Sequence, residues 1–358
     1  MKQEQKLQAI WENIESERKE DYVYPRQSIK MEHAREFGRY NVMGGTNRWA
    51  VNDHCRGQIN SIISAGFDNY SKTLDDLDMQ DLYVRNVNEV LQESDKRSII
   101  RTVDRGQGSV ARAFVSDSFK PIDDDIVFGT ALQVIGDYHA RYKSIGGNRT
   151  DTKTYVKIVS KEPIFSLNVE GKNREFSAGF IMSNSEVGCG YTIFQAFLTD
   201  HYCNNGIIFS KHVVADVKYM HRGVKVETDF GLLLGDRIKE AEKASIQALI
   251  CDATKLACNN DNWDALKNTL EASANVRIAG DRAGVVEQIG RRVGLNPHER
   301  KQLPFFMEGD TKFAIQAGIT KLAQETDDYD RKIELEQAGG DVIQMNSKVW
   351  DSINTLSI

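Results

Sequence analysis

A glycine-rich stretch is the first feature of this sequence that suggests chemistry. The segment GQGSVA, Gly106 to Ala111, has the form of a loop that holds the phosphates of a dinucleotide. Such a loop must follow a strand and open a helix, but here Val110, Arg112 and Phe114 recur with the period of a strand. The stretch therefore predicts the loop of a β-hairpin, and no nucleotide or other cofactor is expected.

The predicted hairpin, with strands Ile99 to Val103 and Val110 to Ser116, carries several basic and aromatic side chains. Single-stranded nucleic acids bind to positively charged grooves in which bases stack on aromatic rings. The residues that we expect to form such a site are Arg101, Arg105, Arg112, Lys120, Phe114 and Phe119. The alternative is a solvated face on which Asp104 and Asp117 compensate the arginines.

A second group of reactive side chains lies between Gly179 and Phe209. The members of this candidate polar site are Asn184, Ser185, Glu186, His201 and Cys203. Acid–base or nucleophilic catalysis requires such groups to lie within hydrogen-bonding reach of one another. Asn and Ser are also the residues with which a turn bonds its own backbone, and no GxSxG motif surrounds either serine of this segment. An enzyme site and a simple turn are therefore both open.

The histidines and cysteines of this region have the residue types of a zinc site but not its spacing. His201 and Cys203, with Cys189, His212 and His221 nearby, include no CxxC or HxxxH pair that would place two ligands on one element. Cysteine is also one of the residues most often buried in protein cores. We therefore expect no metal site.

The composition is typical of a folded globular protein. The chain has 358 residues, 40% of them hydrophobic and 27% charged, and a formal net charge of −6. This acidic balance provides no overall positive field toward nucleic acid or anionic lipid, so such binding would need a local basic patch. Five cysteines without a CxxC pair suit reduced thiols. Because no segment has the pattern of a membrane span or a signal peptide, we expect a cytoplasmic location and no membrane partner.

The secondary-structure elements that must position these residues can be inferred from the hydrophobic pattern, whose period changes along the chain. Helical patterns occupy both ends, whereas short segments rich in β-branched and aromatic residues occupy the middle. This order predicts an α+β fold with a central, mostly antiparallel sheet of short strands. We expect three parts: an N-terminal helical extension over 1–48, an α+β core domain over 49–229 and a helical C-terminal region over 230–358.

Several helix ends are also marked in the sequence. Asn52 or Asp53 is expected to cap one helix, and Asn296 followed by Pro297 predicts the start of another. The pair Gly339 and Gly340 predicts a helix stop. A long amphipathic helix that begins near residue 235 fits either the core or a contact between copies of the chain.

The ordered motifs of the chain resemble those of a known family. Three segments follow one another in the same order as the motifs of that family: VARAFVSDSFKPID (Val110 to Asp123), SNSEVGCGY (Ser183 to Tyr191) and CNNGIIF (Cys203 to Phe209). Helical segments on either side, NDHCRGQINSI and VRNVNEVL upstream and ITKLAQETDDYDRKIELEQAGGDVI downstream, extend the similarity. Over most of its length, the chain resembles the phage/plasmid-like proteins of domain-of-unknown-function family 932. Ser118 and Phe119 depart from the family, which usually has Arg and Tyr there.

The resemblance implies a viral, proviral or plasmid origin and a bacterial host cell, but it implies no catalytic residues. We therefore expect a non-enzymatic accessory protein of phage or plasmid DNA metabolism that binds or anneals single strands. One alternative is an enzyme whose site lies around Asn184 to Cys203. The other is a phage interaction or assembly protein that forms a homo-oligomer.

Overall fold

The computed structural model describes residues 5–34, 39–106, 108–120, 122–217, 231–259 and 263–355. Within these ranges the chain forms twelve α-helices and twelve β-strands. The strands build two six-stranded sheets, in which neighbouring strands are mostly antiparallel. The predicted α+β class is therefore confirmed, with two sheets in place of the single central sheet that we expected.

The first sheet comes from the N-terminal third of the chain. Its strands are β1 (Arg18–Pro25), β2 (Ile29–Ala34), β3 (Arg39–Gly44), β4 (Asn47–Val51), β5 (Arg97–Asp104) and β6 (Ser109–Ser116), in the order β1-β5-β6-β4-β3-β2. The helices that follow β4 are α2 (Asp53–Ile63), α3 (Phe67–Asp76) and α4 (Gln80–Gln92). Buried Ile59 and Tyr83 from these helices pack with Trp49 and Ile100 of the sheet, so the helices cover one of its faces.

The expectation that residues 1–48 form a helical extension is wrong, because most of the elements there are strands. In the described part of residues 1–48, a single α-helix, α1 (Leu7–Ser16), precedes β1, β2, β3 and the start of β4. The polar strand β1, RKEDYVYP, gives almost no apolar period, but it pairs with β5 along its whole length. Long-range pairing therefore decided the state of this segment. The expected boundary at 48/49 falls inside β4, and the one at 229/230 lies outside the described residues.

The second sheet follows in the chain. Its strands are β7 (Tyr142–Arg149), β8 (Thr154–Ser160), β9 (Phe165–Val169), β10 (Lys172–Asn184), β11 (Thr192–Asp200) and β12 (Asn205–Val217). The order is β12-β11-β10-β8-β7, with β9 paired to the first part of β10. One face packs against α1, α5 (Asp124–Asp137) and α6 (Gly231–Cys258), where Val127 and Ile250 contact a core that includes Val156, Phe180 and Phe194.

The C-terminal region is helical, as predicted. Its helices are α7 (Asp264–Asn275), α8 (Arg282–Arg292), α9 (Pro297–Phe306), α10 (Lys312–Glu325), α11 (Tyr329–Ile343) and α12 (Ser347–Asn354). Tyr329 and Ile333 of α11 pack against Phe197 and Ile208, on the face of the second sheet opposite to the α5 side. The second sheet is therefore covered by helices on both faces. No helix in the described part of the chain is both long and apolar enough to cross a membrane.

Several local predictions are confirmed. Asn52 caps α2 by accepting the N–H of Cys55 at 2.8 Å, and Asn296 caps α9 in a capping box with Glu299. Strands β5 and β6 form the predicted hairpin. Its loop is closed by the Asp104 carboxylate, which accepts the N–H of Gly106 at 2.7 Å. The glycine-rich stretch is therefore a turn, because a strand and not a helix follows it.

The predicted helix stop at Gly339 and Gly340 is wrong. Both glycines lie inside α11. A Cβ atom on Gly340 would lie 2.0 Å from the carbonyl oxygen of Ile208 in β12, so the glycine lets helix and strand backbones approach closely. The pair marks a packing contact instead of an end.

Candidate functional site

The carboxylate of Glu186 is the centre of a buried ionic cluster between the two sheets. Glu186 follows β10 and is 3% exposed. Arg112 of β6 and Lys19 of β1 form ion pairs with it, and Arg149 of β7 lies 3.2 Å away. The backbone N–H of Asp124, at the start of α5, donates to the same carboxylate at 2.7 Å. Glu186 therefore joins strands of both sheets to a helix.

The Asp124 carboxylate is the second acid of this cluster. It accepts hydrogen bonds from the Asn184 side-chain amide at 2.8 Å and from the Thr154 hydroxyl at 2.5 Å. Burial raises the pKa of Asp124 to about 6, and the negative charge of Glu186 acts in the same direction. The amide oxygen of Asn184 in turn accepts the hydroxyl of Thr192 at 2.7 Å. The Asn184 side chain is thus fixed on both of its polar atoms.

The pKa of Glu186 is lowered, whereas that of Asp124 is raised. Burial alone would raise it, but the positive charges of Arg112, Lys19 and Arg149 outweigh burial and hold the pKa well below its usual range. Two neighbouring carboxyls with opposite shifts are a common arrangement in acid–base catalysis. The space beside them, however, measures only about 10 Å³, which is enough for one water molecule at most. This small space beside Asp124 and Glu186 has no room for a substrate, and we interpret the two carboxyls as structural.

Ser185, the remaining member of the NSE segment, also serves the local structure. Its hydroxyl donates to the carbonyl of Thr152 at 2.8 Å and accepts the N–H of Cys189 at 2.9 Å. The second bond is the turn interaction expected for a serine in this position. All three side chains, those of Asn184, Ser185 and Glu186, are at most 3% exposed.

The predicted nucleic-acid site is contradicted for half of its residues. Arg101 is 1% exposed and forms ion pairs with Asp21 at 2.7 Å and Asp123 at 2.8 Å. Arg112 is 5% exposed and is paired with Glu186. Phe114 lies in the core under α2. None of these three side chains reaches a surface on which a phosphate or a base could lie, because consecutive residues in the middle of both hairpin strands are buried.

The other three predicted residues are less buried but do not form a basic groove. Arg105 is about half exposed, and its guanidinium lies 2.8 Å from Glu17 and 3.4 Å from Asp151. Lys120 forms an ion pair with Glu242. Phe119 is partly buried. The carboxylates that compensate these two cations are those of Glu17, Asp151 and Glu242. The alternative had named Asp104 and Asp117 for this role.

The candidate polar site does not assemble as one site. Phe176 pairs with Asp200, so His201 and Cys203 lie at the opposite end of β10 from Asn184. At about 3.4 Å per residue, the eight residue-to-residue steps from Phe176 to Asn184 span roughly 27 Å. The hypothesis of an enzyme site that combines the two groups is therefore wrong.

Cys203 is held in a polar contact that lowers its reactivity. Its thiol donates to Asp200 at 3.2 Å, and Arg174 forms an ion pair with the same carboxylate at 2.8 Å. Burial, with the charge of Asp200 as a further cause, raises the pKa of Cys203 to about 12. Among the described residues, no group of three or more His, Cys, Asp or Glu side chains could hold a metal ion. The side chain of His212, and all of His221, lie outside the described part.

A polar cavity lies on the α11 side of the second sheet. This cavity, of about 710 Å³, is bounded by strands β7, β8, β10, β11 and β12 and by the chain from Gln324 to Glu336. Its volume falls within the range of about 300–1,000 Å³ that is usual for small-molecule sites. Ser177, Thr199 and Gly206 form a register row across three adjacent strands. Because these three residues are small, the row leaves space between the sheet and the helix.

A buried ion pair lies on the wall of the cavity. The Nζ atom of Lys157 in β8 donates to Oε1 of Glu336 in α11 at 2.9 Å. The Lys157 ammonium also lies 5.2 Å from the ring centre of Phe197. Oε2 of Glu336 is buried and has no hydrogen-bond partner among the described residues, and the same holds for the hydroxyl of Thr199. Lys332, one turn before Glu336, is a second lysine that is almost fully buried on this wall.

The His201 ring stands at the edge of this cavity beside a serine. Its Nε2 atom lies 2.8 Å from the hydroxyl of Ser177 in β10. Ser177 is 1% exposed, whereas His201 is exposed. The structure thus brings one predicted site residue, His201, together with a group that the sequence did not indicate.

Sequence inspection missed Ser177, Lys157 and Glu336. One signal was present: Lys157 is the only charged residue in the otherwise apolar strand TYVKIVS. A lysine in a strand that is buried on both faces requires a partner, and that partner lies far along the chain.

The chain was also compared with known proteins. No protein family model, no curated protein and no solved structure matches it. The resemblance to family 932 therefore stays a prediction, and the cavity must be interpreted from its own geometry.

Proposed function

We propose that this protein binds a small organic anion in the cavity between the second sheet and α11. The observation that carries the proposal is the buried pair of Lys157 and Glu336 on the wall of a space of about 710 Å³. Buried charged pairs are costly to maintain, and in clefts they are enriched at functional sites.

The charge of the wall favours an anion. Its almost fully buried ionic groups are the ammonium groups of Lys157 and Lys332 and the carboxylate of Glu336. Two of these three groups are cationic, and electrostatic attraction is stronger at buried groups than in bulk solvent. The exposed acids Glu325 and Asp327 lie at the rim, where solvent screens them.

The polar atoms without partners specify a second feature of the ligand. Oε2 of Glu336 and the hydroxyl of Thr199 are acceptors that no described residue satisfies. An unsatisfied buried polar group costs about 1–3 kcal/mol, so a ligand donor that reached these atoms would be favoured. The ligand class is therefore a small acid or phosphate ester that also carries a hydroxyl or ammonium group.

Isothermal titration with malate and glycerol 3-phosphate tests this proposal. The matched uncharged compounds are 1,2,4-butanetriol and glycerol. We expect the anions to bind and the uncharged compounds not to bind, and we expect Lys332→Met to weaken binding at least tenfold. The control variant Lys172→Met removes an exposed lysine from another surface and should leave affinity unchanged. Failure of both anions to bind at millimolar concentration, or equal binding of the triols, would contradict the proposal.

Single-strand binding in phage or plasmid DNA metabolism, self-association and a cytoplasmic location stay predictions from the sequence. Anisotropy of a labelled single-stranded oligonucleotide at several salt concentrations tests the first of them. Phosphate contacts would make binding weaken steeply with salt. Of the six residues expected to carry it, Arg105, Lys120 and Phe119 retain surface exposure, so Arg105→Gln with Lys120→Gln is the variant to compare.

A further inference from the structure

Ser177 and His201 form a hydroxyl–imidazole pair on the wall of the anion-binding cavity. The Ser177 hydroxyl has two neighbours: Nε2 of His201 at 2.8 Å and the carbonyl of Glu162 at 3.5 Å. Since hydrogen bonds weaken with distance, the contact with the imidazole is the stronger one. It has the geometry in which a serine hydroxyl gives its proton to a histidine base.

A cationic group lines the same cavity as this pair. The Nζ atom of Lys143 in β7 donates to the carbonyl of Lys161 at 3.4 Å, and the hydroxyl of Ser177 lies against the carbonyl of the following residue, Glu162. Lys143, Ser177 and His201 all line the same cavity. An ammonium group on the wall of the cavity can stabilise negative charge that develops on a bound substrate.

The exposure of His201 and the burial of Ser177 suit nucleophilic catalysis. His201 is exposed at the cavity edge, while Ser177 is 1% exposed and is reached through the cavity. Ser177 faces Thr199 in the row of small residues, so the hydroxyl stands beside open volume rather than beside a bulky side chain. Lys157 and Lys332 lie on the wall of the same cavity.

We propose that Ser177 is a nucleophile and His201 its general base, and that the cavity cleaves esters of small anionic acids. This inference rests on the proposed function, because the acid part of the ester is the anion that the cavity binds. Ser177 Oγ forms a bond to the ester carbonyl carbon while its proton moves to Nε2 of His201. The carbon–oxygen bond to the alcohol then breaks, the alcohol takes that proton, and water releases the acid from the serine by the reverse sequence.

Reaction of the full-length protein with diisopropyl fluorophosphate tests the nucleophile directly. Attack of Ser177 Oγ on phosphorus forms a phosphorus–oxygen bond and expels fluoride, while the proton goes to His201. We expect intact-mass spectrometry to record one added diisopropylphosphoryl group and peptide mapping to locate it on Ser177. His201→Gln should slow labelling at least about 100-fold, the usual contribution of a general base, and Lys143→Met should slow it less.

Matched variants separate this chemistry from folding and from ligand binding. Ser160→Ala removes another buried serine, on β8, whose hydroxyl bonds the carbonyl of Glu162 at 2.7 Å and has no imidazole partner, so labelling should persist. Ser177→Ala should abolish labelling. If both anions bind and Ser177 is not labelled, or His201→Gln labels at the wild-type rate, this inference is wrong and the binding proposal stands. If neither anion binds, the binding proposal fails irrespective of labelling.

Discussion

Lys157 of β8 and Glu336 of α11 form an ion pair of 2.9 Å although they are 179 residues apart in the chain. Both side chains are at most 4% exposed. The pair connects the second sheet to the helix that covers its outer face, on the wall of the cavity of about 710 Å³. Its charge and its location support the proposed anion site.

Replacing one member of this pair should lower the stability of the protein more than replacing both. Lys157→Met leaves the Glu336 carboxylate buried without its main partner and should lower the free energy of unfolding by about 3–5 kcal/mol. The double variant Lys157→Met with Glu336→Leu removes both charges and should be close to wild type in stability. It should nevertheless fail to bind malate. Urea denaturation gives the stabilities, and equal losses in the single and double variants would contradict the pairing.

The ionised fraction of Asp124 should make stability depend on pH. Its pKa in the folded protein is about 6, above the ordinary value of 3.8. The folded state therefore holds the proton more tightly than the unfolded state. The stabilising contribution of protonated Asp124 is complete below about pH 3.8 and is lost as the pH rises through about 6.

Asp124→Asn removes this titration. We expect the free energy of unfolding of the variant, measured relative to wild type, to increase between about pH 4 and pH 7. Urea denaturation at three pH values in this window measures the difference. Asp125→Asn, at the exposed neighbouring position in the same helix, is the control for the loss of one carboxylate from the first turn. A flat difference for Asp124→Asn would mean that its carboxyl titrates normally.

Gly340 should not tolerate a methyl group. The Cβ atom of alanine would overlap the backbone of Ile208 in β12, so Gly340→Ala should destabilise the protein by at least about 1–3 kcal/mol. Gly136, in α5, has nothing within 4 Å of the corresponding position. Gly136→Ala should be neutral or stabilise by up to about 1 kcal/mol. Thermal denaturation compares them, and equal effects would show that α11 does not approach β12 so closely.

The hairpin arginines should differ in their effect on stability. Arg101 is almost fully buried between Asp21 and Asp123, so Arg101→Met should cost about 3–5 kcal/mol. Arg105 is half exposed, and Arg105→Met should change stability by less than about 1 kcal/mol. Denaturation with urea measures both. A neutral Arg101→Met variant would reopen the question of an interface on this hairpin.

The sequence by itself determined the local features of this protein. The α+β class, the hairpin around Gly106, the cap at Asn296 and the helical C-terminal region all follow from signals within a few residues of one another. Such signals act through turn chemistry, capping and hydrophobic period, which do not depend on distant parts of the chain.

Only the tertiary structure decided where the charged groups lie. From the sequence, the arginines of the hairpin were expected to form a basic surface. In the folded structure, carboxylates from other elements, such as Asp21 and Glu186, form ion pairs with them. The polar strand β1 and the glycines of α11 were misassigned because their partners, β5 and β12, lie far along the chain. Burial and pairing depend on contacts between distant residues, and a linear pattern of residue types does not contain those contacts.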